Sequence, residues 1–190
     1  MYKADPDPYC YEGTTVLINR ADLRDQTELD EFEGEMLSLR FREPLPAGPL
    51  SYRHYLAVHR HLFQDVYPWA GKIRTVRIFK DRSAFCYPEH IDREMRRLFA
   101  GLAKQKFLRG LDARIFPNKA AHFLADLNAI HPFREGNGRT QLSFLVILAD
   151  RAGHRLTRQR FTPEATLRGM IASFDGNEKP LADLIEQSIQ

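Results

Sequence analysis

Apolar positions recur at helical spacing through most of this 190-residue chain. Between Asp22 and about Arg40, Leu29, Phe32, Met36, Leu37 and Leu39 mark one stripe of an amphipathic helix. The segment from Glu43 to Pro49 holds three prolines and a glycine. It reads as a loop, because proline lacks the N–H that a helix needs and clashes with the preceding turn. Ser51 offers a side-chain acceptor to uncapped N–H groups, so a helix is expected from Tyr52 to about Gln64, with Tyr55, Leu56, His59, Leu62 and Phe63 inward. The same spacing predicts helices over about Pro88–Lys104 and Pro117–Ile130. Two shorter ones follow near Pro163–Phe174 and Leu181–Ile189. Residues from Gly138 to about Ala152 are apolar nearly all round, and a helix without a wet face belongs at the centre of a bundle.

One stretch keeps a different rhythm. In Lys72–Phe79, the residues Ile73, Val76, Ile78 and Phe79 alternate with Arg and Thr, as in a short strand. A turn at Asp81-Arg82-Ser83 would return the chain through Ala84–Tyr87. An isolated hairpin is marginal in water, so this one must rest on the helices or on a partner. The expected architecture is all-α: a helical bundle around a central apolar helix, with one small β-hairpin. The length suits one domain, with residues 1–50 a lead-in and helix, and residues 51–190 the core.

Composition narrows the class without choosing a function. At 43% hydrophobic and 28% charged, disordered and fibrous classes are excluded. A net charge of +3 is too mild to argue for nucleic acid as a partner. Cys10 and Cys86 make no disulfide framework and no zinc pattern, which favours a reducing, cytoplasmic setting. The N-terminus carries no apolar signal region. The longest apolar run, Phe144–Ala149, is far too short to span a bilayer.

Chemistry concentrates between the last two long helices, in His131-Pro132-Phe133-Arg134-Glu135-Gly136-Asn137-Gly138-Arg139. Glycines before a helix leave its first N–H groups uncovered, where the helix dipole favours an anion. Gly136, Asn137 and Gly138 thus form a candidate phosphate nest, with Arg139 as a guanidinium partner. Glu135 fits an anion site only if a cation such as Mg²⁺ lies between it and the phosphates. His131 is the candidate general base, because the unperturbed histidine side chain titrates near neutrality. Spacing alone leaves a catalytic and a structural role about evenly balanced.

These residues resemble the signature of the Fic (filamentation-induced-by-cAMP) family, H-x-F-x-[D/E]-G-N-G-R-x-x-R. Every specified position except the last is present. Asp7-Pro8-Tyr9, Gly13-Thr14, Val16-Leu17 and Trp69-Ala70-Gly71 followed by Ile73-Arg74 are similar to the lead-in and pre-flap segments of bacterial Fic toxins. The resemblance implies a protein adenylyltransferase. His131 would take a proton from a Tyr, Ser or Thr hydroxyl of a target protein, and Glu135 would hold Mg²⁺ on ATP. Gly136, Asn137 and Gly138 would line the anion hole, and Arg139 would neutralise the leaving pyrophosphate. Phe133 would anchor the loop in the core. The hairpin would be a flap on which the target docks by its backbone, with Arg77, Ile78, Phe79, Lys80, Ser83 and Phe85 as the docking residues.

The chain departs from the pattern at Leu142, where the family arginine contacts the γ-phosphate. A leucine in so apolar a helix reads first as core packing. Doc-type kinases of the same superfamily resemble the Arg139-Thr140-Gln141-Leu142 run, but carry lysine in place of Gly138, so AMP transfer is favoured over phosphorylation. A non-catalytic docking module is the third alternative. The family's inhibitory motif, [S/T]-x-x-x-E-[G/N], pairs its glutamate with the missing arginine. Thr27–Glu31 lacks the ending, and Glu33-Gly34 lacks the Ser or Thr. A toxin-type chain restrained by a separate small antitoxin is therefore expected, cytoplasmic or translocated into a host cell.

Overall fold

The computed structural model describes residues 7–80 and 83–190. Among them are seven α-helices: α1 (Gln26–Arg40), α2 (Tyr52–Phe63), α3 (Pro88–Lys104), α4 (Phe116–Ile130), α5 (Asn137–Ala152), α6 (Pro163–Phe174) and α7 (Lys179–Ser188). Strand β1 is Phe79–Lys80 and β2 is Ser83–Ala84. The all-α expectation with a single small hairpin holds, and the long helices end within a few residues of their predicted bounds.

Local chemistry accounts for these ends. α1 starts at Gln26 rather than Asp22 because Asp25 caps it, accepting hydrogen bonds from the N–H groups of Thr27 (2.8 Å) and Glu28 (3.1 Å). Ser51 caps α2 through the N–H of His54. Gly153, at φ +98°, ends α5 in the left-handed region that glycine enters without a Cβ penalty.

α5 packs on α2 and α4, and α3, α6 and α7 lean on α4. Phe144, Leu145 and Leu148 on α5 are fully buried, and Phe144 meets Tyr55, Phe99 and Phe123 from three other helices. α1 lies on α2 and is tied to its end by Arg40, whose guanidinium grips Asp65 at 2.6 and 2.8 Å. Leu29 and Leu37 on α1 are buried, whereas Leu39, expected inward, is about half exposed.

The hairpin is shorter than its sequence suggests. Among the described residues only Phe79 with Ala84 and Lys80 with Ser83 pair, and the turn expected at Asp81 and Arg82 lies outside them. The flanking extended chain bonds elsewhere. The Arg74 N–H donates to the carbonyl of Pro132 (2.9 Å), and the Cys86 N–H donates to that of Ala129 (3.1 Å). Backbone groups that would have extended a ladder are used to dock the hairpin base on the segment around His131.

Candidate active site

α4 ends on His131, whose φ of +50° places a non-glycine residue in the left-handed region. Such a conformation costs on the order of 1–3 kcal/mol and persists only where the surroundings impose it. Here Arg74 imposes it. Its buried guanidinium donates to the carbonyls of His131 (2.8 Å), Ile130 (3.3 Å), Cys86 (2.6 Å) and Val76 (2.6 Å). One cation therefore gathers the exit of α4 and both sides of the hairpin base.

The His131 ring has a fixed orientation. Its Nδ1 lies 3.1 Å from the carbonyl oxygen of Asn128. A carbonyl only accepts, so Nδ1 carries the proton and Nε2 is the basic nitrogen of the neutral ring. Phe85 stacks on the ring with centroids 3.9 Å apart.

The loop to α5 is closed by its own side chains. Asn137 is buried, and its carboxamide donates to the carbonyl of Phe133 (2.8 Å) and accepts from its N–H (3.0 Å). Phe133 is fully buried, stacked between Tyr55 and His59. Arg134 points away from the loop into a buried pair with Asp7, at 2.9 and 2.6 Å. The Asp7-Pro8-Tyr9 lead-in is thereby fastened to the loop from 127 positions away. The Asn137 side chain is thus a clamp rather than a phosphate contact. What remains open is backbone: among the described residues, the N–H groups of Asn137, Gly138 and Arg139 have no backbone acceptor, and no side chain caps α5.

The two glycines differ. Gly136 has φ +82°, and a Cβ there would lie 2.4 Å from the Phe63 ring. At Gly138 a Cβ would meet nothing within 4 Å, so this position faces open space. That space is a cleft of about 680 Å³. His131, Glu135, Gly136, Gly138 and Arg139 line one end, and Leu142, Phe161, Leu167, Met170 and Ile171 line the other. Leu142 is therefore half-buried on the cleft wall and not in the core, correcting the expectation from helix hydropathy.

Arg139 holds a residue that sequence reasoning set aside. Its guanidinium forms an ion pair with Glu33 of α1, lies 3.5 Å from Glu135, and sits over the Phe63 ring. The Tyr67 hydroxyl donates to the other oxygen of Glu33 (2.6 Å). Burial is the largest influence and works against the cation, but Glu33, Glu135 and Tyr67 together raise the Arg139 pKa. Glu33-Gly34 thus reaches the site, on Arg139 rather than on position 142. A phosphate approaching Arg139 competes with that carboxylate. We predict that Glu33→Gln tightens Mg-ATP binding several-fold in titration calorimetry; unchanged or weaker binding would refute the competition.

Glu135 keeps one carboxylate oxygen on the N–H of Gly136 (2.8 Å). No group of three His, Cys, Asp or Glu residues that could hold a metal occurs among the described residues. A lone carboxylate suits Mg²⁺ that takes its remaining ligands from phosphate and water.

The proposed docking residues divide. Ile78 and Phe85 are buried, with Phe85 against His131 on the cleft wall. Arg77 and Phe79 are exposed, with the Arg77 guanidinium over the Tyr87 ring at 4.0 Å. Lys80 and Ser83 supply backbone to the pair, and their side chains lie outside the described residues.

Comparison with known proteins agrees with this geometry. The Fic/DOC family model matches residues 49–149. The chain belongs to that family. A probable protein adenylyltransferase of Sinorhizobium fredii, y4lH, is 52% identical over 189 residues, covering 99% of this chain and 98% of the relative. The protein adenylyltransferase VbhT of Bartonella schoenbuchensis is 36% identical over 99% of this chain, which spans 40% of that longer protein. Among solved structures, the Bartonella tribocorum effector BepC with bound AMPPNP aligns at TM-score 0.87 and 27% identity, covering 96% of each chain. No helix among the described residues is long and apolar enough to cross a membrane.

His59 also escaped assignment to the site, although its inward face was legible. Burial outweighs its hydrogen bond to the Glu135 carbonyl and lowers its pKa to about 3. The unfolded chain takes up that proton near pH 6.5, and the folded chain does not. Stability therefore rises with pH across the window from about 3 to about 6.5 and is lost as pH falls through it. Urea unfolding of His59→Phe should show a flatter pH dependence there, by up to about 1.4 kcal/mol per pH unit; an unaltered slope would contradict the assignment.

Proposed function

We propose that this Fic protein is a protein adenylyltransferase that moves AMP from ATP to a Tyr, Ser or Thr hydroxyl of a target protein, with residues 1–190 acting as one catalytic unit. The observation that carries the reading is the orientation of His131. Its Nδ1–H is committed to the Asn128 carbonyl, so Nε2 is the basic nitrogen of a ring that lines the cleft at the start of α5.

The target hydroxyl gives its proton to Nε2 of His131 as its oxygen bonds to the α-phosphorus, and the bond from that phosphorus to the bridging oxygen of pyrophosphate breaks. The N–H groups of Asn137, Gly138 and Arg139 receive the phosphate oxygens, where preorganised dipoles favour developing charge. Glu135 is the residue to hold Mg²⁺, which when bound spreads the charge of the α- and β-phosphates. Arg139 leaves Glu33 to neutralise the departing pyrophosphate. A target strand adds to the exposed backbone of the hairpin, with Arg77 and Phe79 beside it. A toxin or translocated-effector role, cytoplasmic action and restraint by a small antitoxin belong to the same proposal. The similarity to the translocated Bartonella effector BepC supports the effector half.

A Doc-like phosphoryl transfer is the second reading, favoured by Leu142. Parallel reactions with α- and γ-labelled ATP separate the two. Label from the α position should appear on protein; label from the γ position alone would overturn AMP transfer. Leu142 leaves Arg139 as the single cationic side chain on the described wall of the cleft. Leu142→Arg should therefore tighten ATP binding by about 10- to 100-fold, the value of one charge-assisted contact, with little change for ADP. Equal gains for both nucleotides would place the new guanidinium away from the third phosphate.

A further inference from the structure

We infer that His59, on α2, is a positioning residue that fixes the Glu135–Gly136 backbone against the turn leading to the hairpin, and so sets the aim of the carboxylate and of the anion-binding helix start. The inference rests on reading residues 135–139 as the phosphate site.

Both ring nitrogens of His59 are engaged. Nδ1 accepts from the N–H of Gly71 at 2.8 Å, and this bond requires an unprotonated Nδ1. Nε2 lies 3.0 Å from the carbonyl oxygen of Glu135 and must therefore be the donor. The donors and acceptors on either side thus select one neutral tautomer. The ring is fully buried and lies against Phe133 with centroids 3.6 Å apart and planes 22° apart. It has almost no room to rotate.

The two groups that it bridges are far apart in the chain and adjacent in the site. Gly71 sits at φ +81°, and a Cβ there would lie 2.8 Å from the Cβ of Arg60, so the turn packs against α2 too closely for any side chain. One turn along α2 from His59, Phe63 underlies Gly136 so closely that no Cβ fits between them. The same helix face therefore holds the loop by a directed bond at Glu135 and by contact at Gly136. The Glu135 side chain bonds the next N–H in the chain, so rotation of this peptide would move carboxylate and anion nest together. An apolar residue of the same volume would fill the space without directing the carbonyl.

The test compares His59→Phe, which fills the volume, with His59→Gln, which restores a donor near the position of Nε2. Mg-ATP affinity is read by titration calorimetry, and exchange of the bonded amides of Gly136 and Thr140 by mass spectrometry on the nucleotide-free protein. His59→Phe should bind about tenfold more weakly and exchange about tenfold faster at these amides, and His59→Gln should recover most of both. Wild-type affinity and exchange in His59→Phe, or equal losses in the two variants, would overturn the inference. Should His59→Phe fail to fold, His59→Asn replaces it, since asparagine mimics the Nδ1 side only; a glutamine variant no better than the asparagine one would be fatal. If the wild-type protein itself bound no Mg-ATP, the transferase reading would fall, and the exchange comparison would still decide the role of His59.

Discussion

Replacing His131 with alanine is expected to lower AMP transfer by about 10²- to 10⁴-fold, the usual contribution of a positioned general base. The effect falls on the chemical step, because the N–H groups of Asn137, Gly138 and Arg139 stay in place without the imidazole. Mg-ATP affinity should therefore change little. The fold should survive, since Arg74 bonds the backbone carbonyl of residue 131 and not its side chain. The backbone strain at φ +50° is unchanged, but the stack on Phe85 is lost, so a small drop in melting temperature is expected. The measurement is transfer of α-label to protein at saturating nucleotide, paired with a thermal melt. Full activity in a folded His131→Ala protein would remove the mechanism proposed above and favour a docking module.

The second large effect is a contrast between two glycines two residues apart. Gly136→Ala places a methyl group about one bond length inside the normal contact distance of the Phe63 ring, at a φ of +82°. Left-handed backbone costs about 1–2 kcal/mol for a residue with a Cβ, and overpacking of a buried ring adds about 1–3 kcal/mol. Stability should fall by about 2–5 kcal/mol on those two terms. The loop must shift to relieve the clash, so nucleotide binding should fall with stability. Gly138→Ala should behave in the opposite way. Its Cβ meets only open cleft, and alanine is the better helix former by about 1 kcal/mol. Its stability should hold or rise while Mg-ATP binding weakens, because the methyl group occupies the approach to the helix start. Denaturant unfolding and calorimetric titration on both variants check this. Equal destabilisation by the two substitutions would show that the loop is packed differently from the structure described.

Much of this molecule is legible in its sequence because the signals are local. The stripe on α3, the Ser51 cap and the proline-rich break before α2 act over a few residues, and each element ended within a few positions of its expected bounds. The loop from His131 to Arg139 is legible for the same reason, since its residues lie on one contiguous segment. Misreadings came where a local pattern was given a nonlocal meaning. The alternation in residues 72–79 looked like one short strand, but only Phe79 and Lys80 pair as β1, while Arg74 bonds the loop at His131 through its backbone and its side chain. Leu142 looked like core because its helix is apolar, yet it lies on the cleft wall. Ile78 and Phe85 looked like flap residues and are buried.

The loop on α5 with its histidine, its two glycines and its arginine was determined by the sequence alone, as was the helical frame that carries it. Which groups oppose those residues was decided only by the tertiary structure. Glu33 reaches Arg139 across 106 positions, Asp7 reaches Arg134 across 127, and His59 reaches Glu135 across 76. No helix period, cap or motif spacing encodes such pairs. They exist because the lead-in, α1 and α2 pack beside the loop and α5, and a carboxylate or imidazole buried there is satisfied only by the group that packing places opposite it.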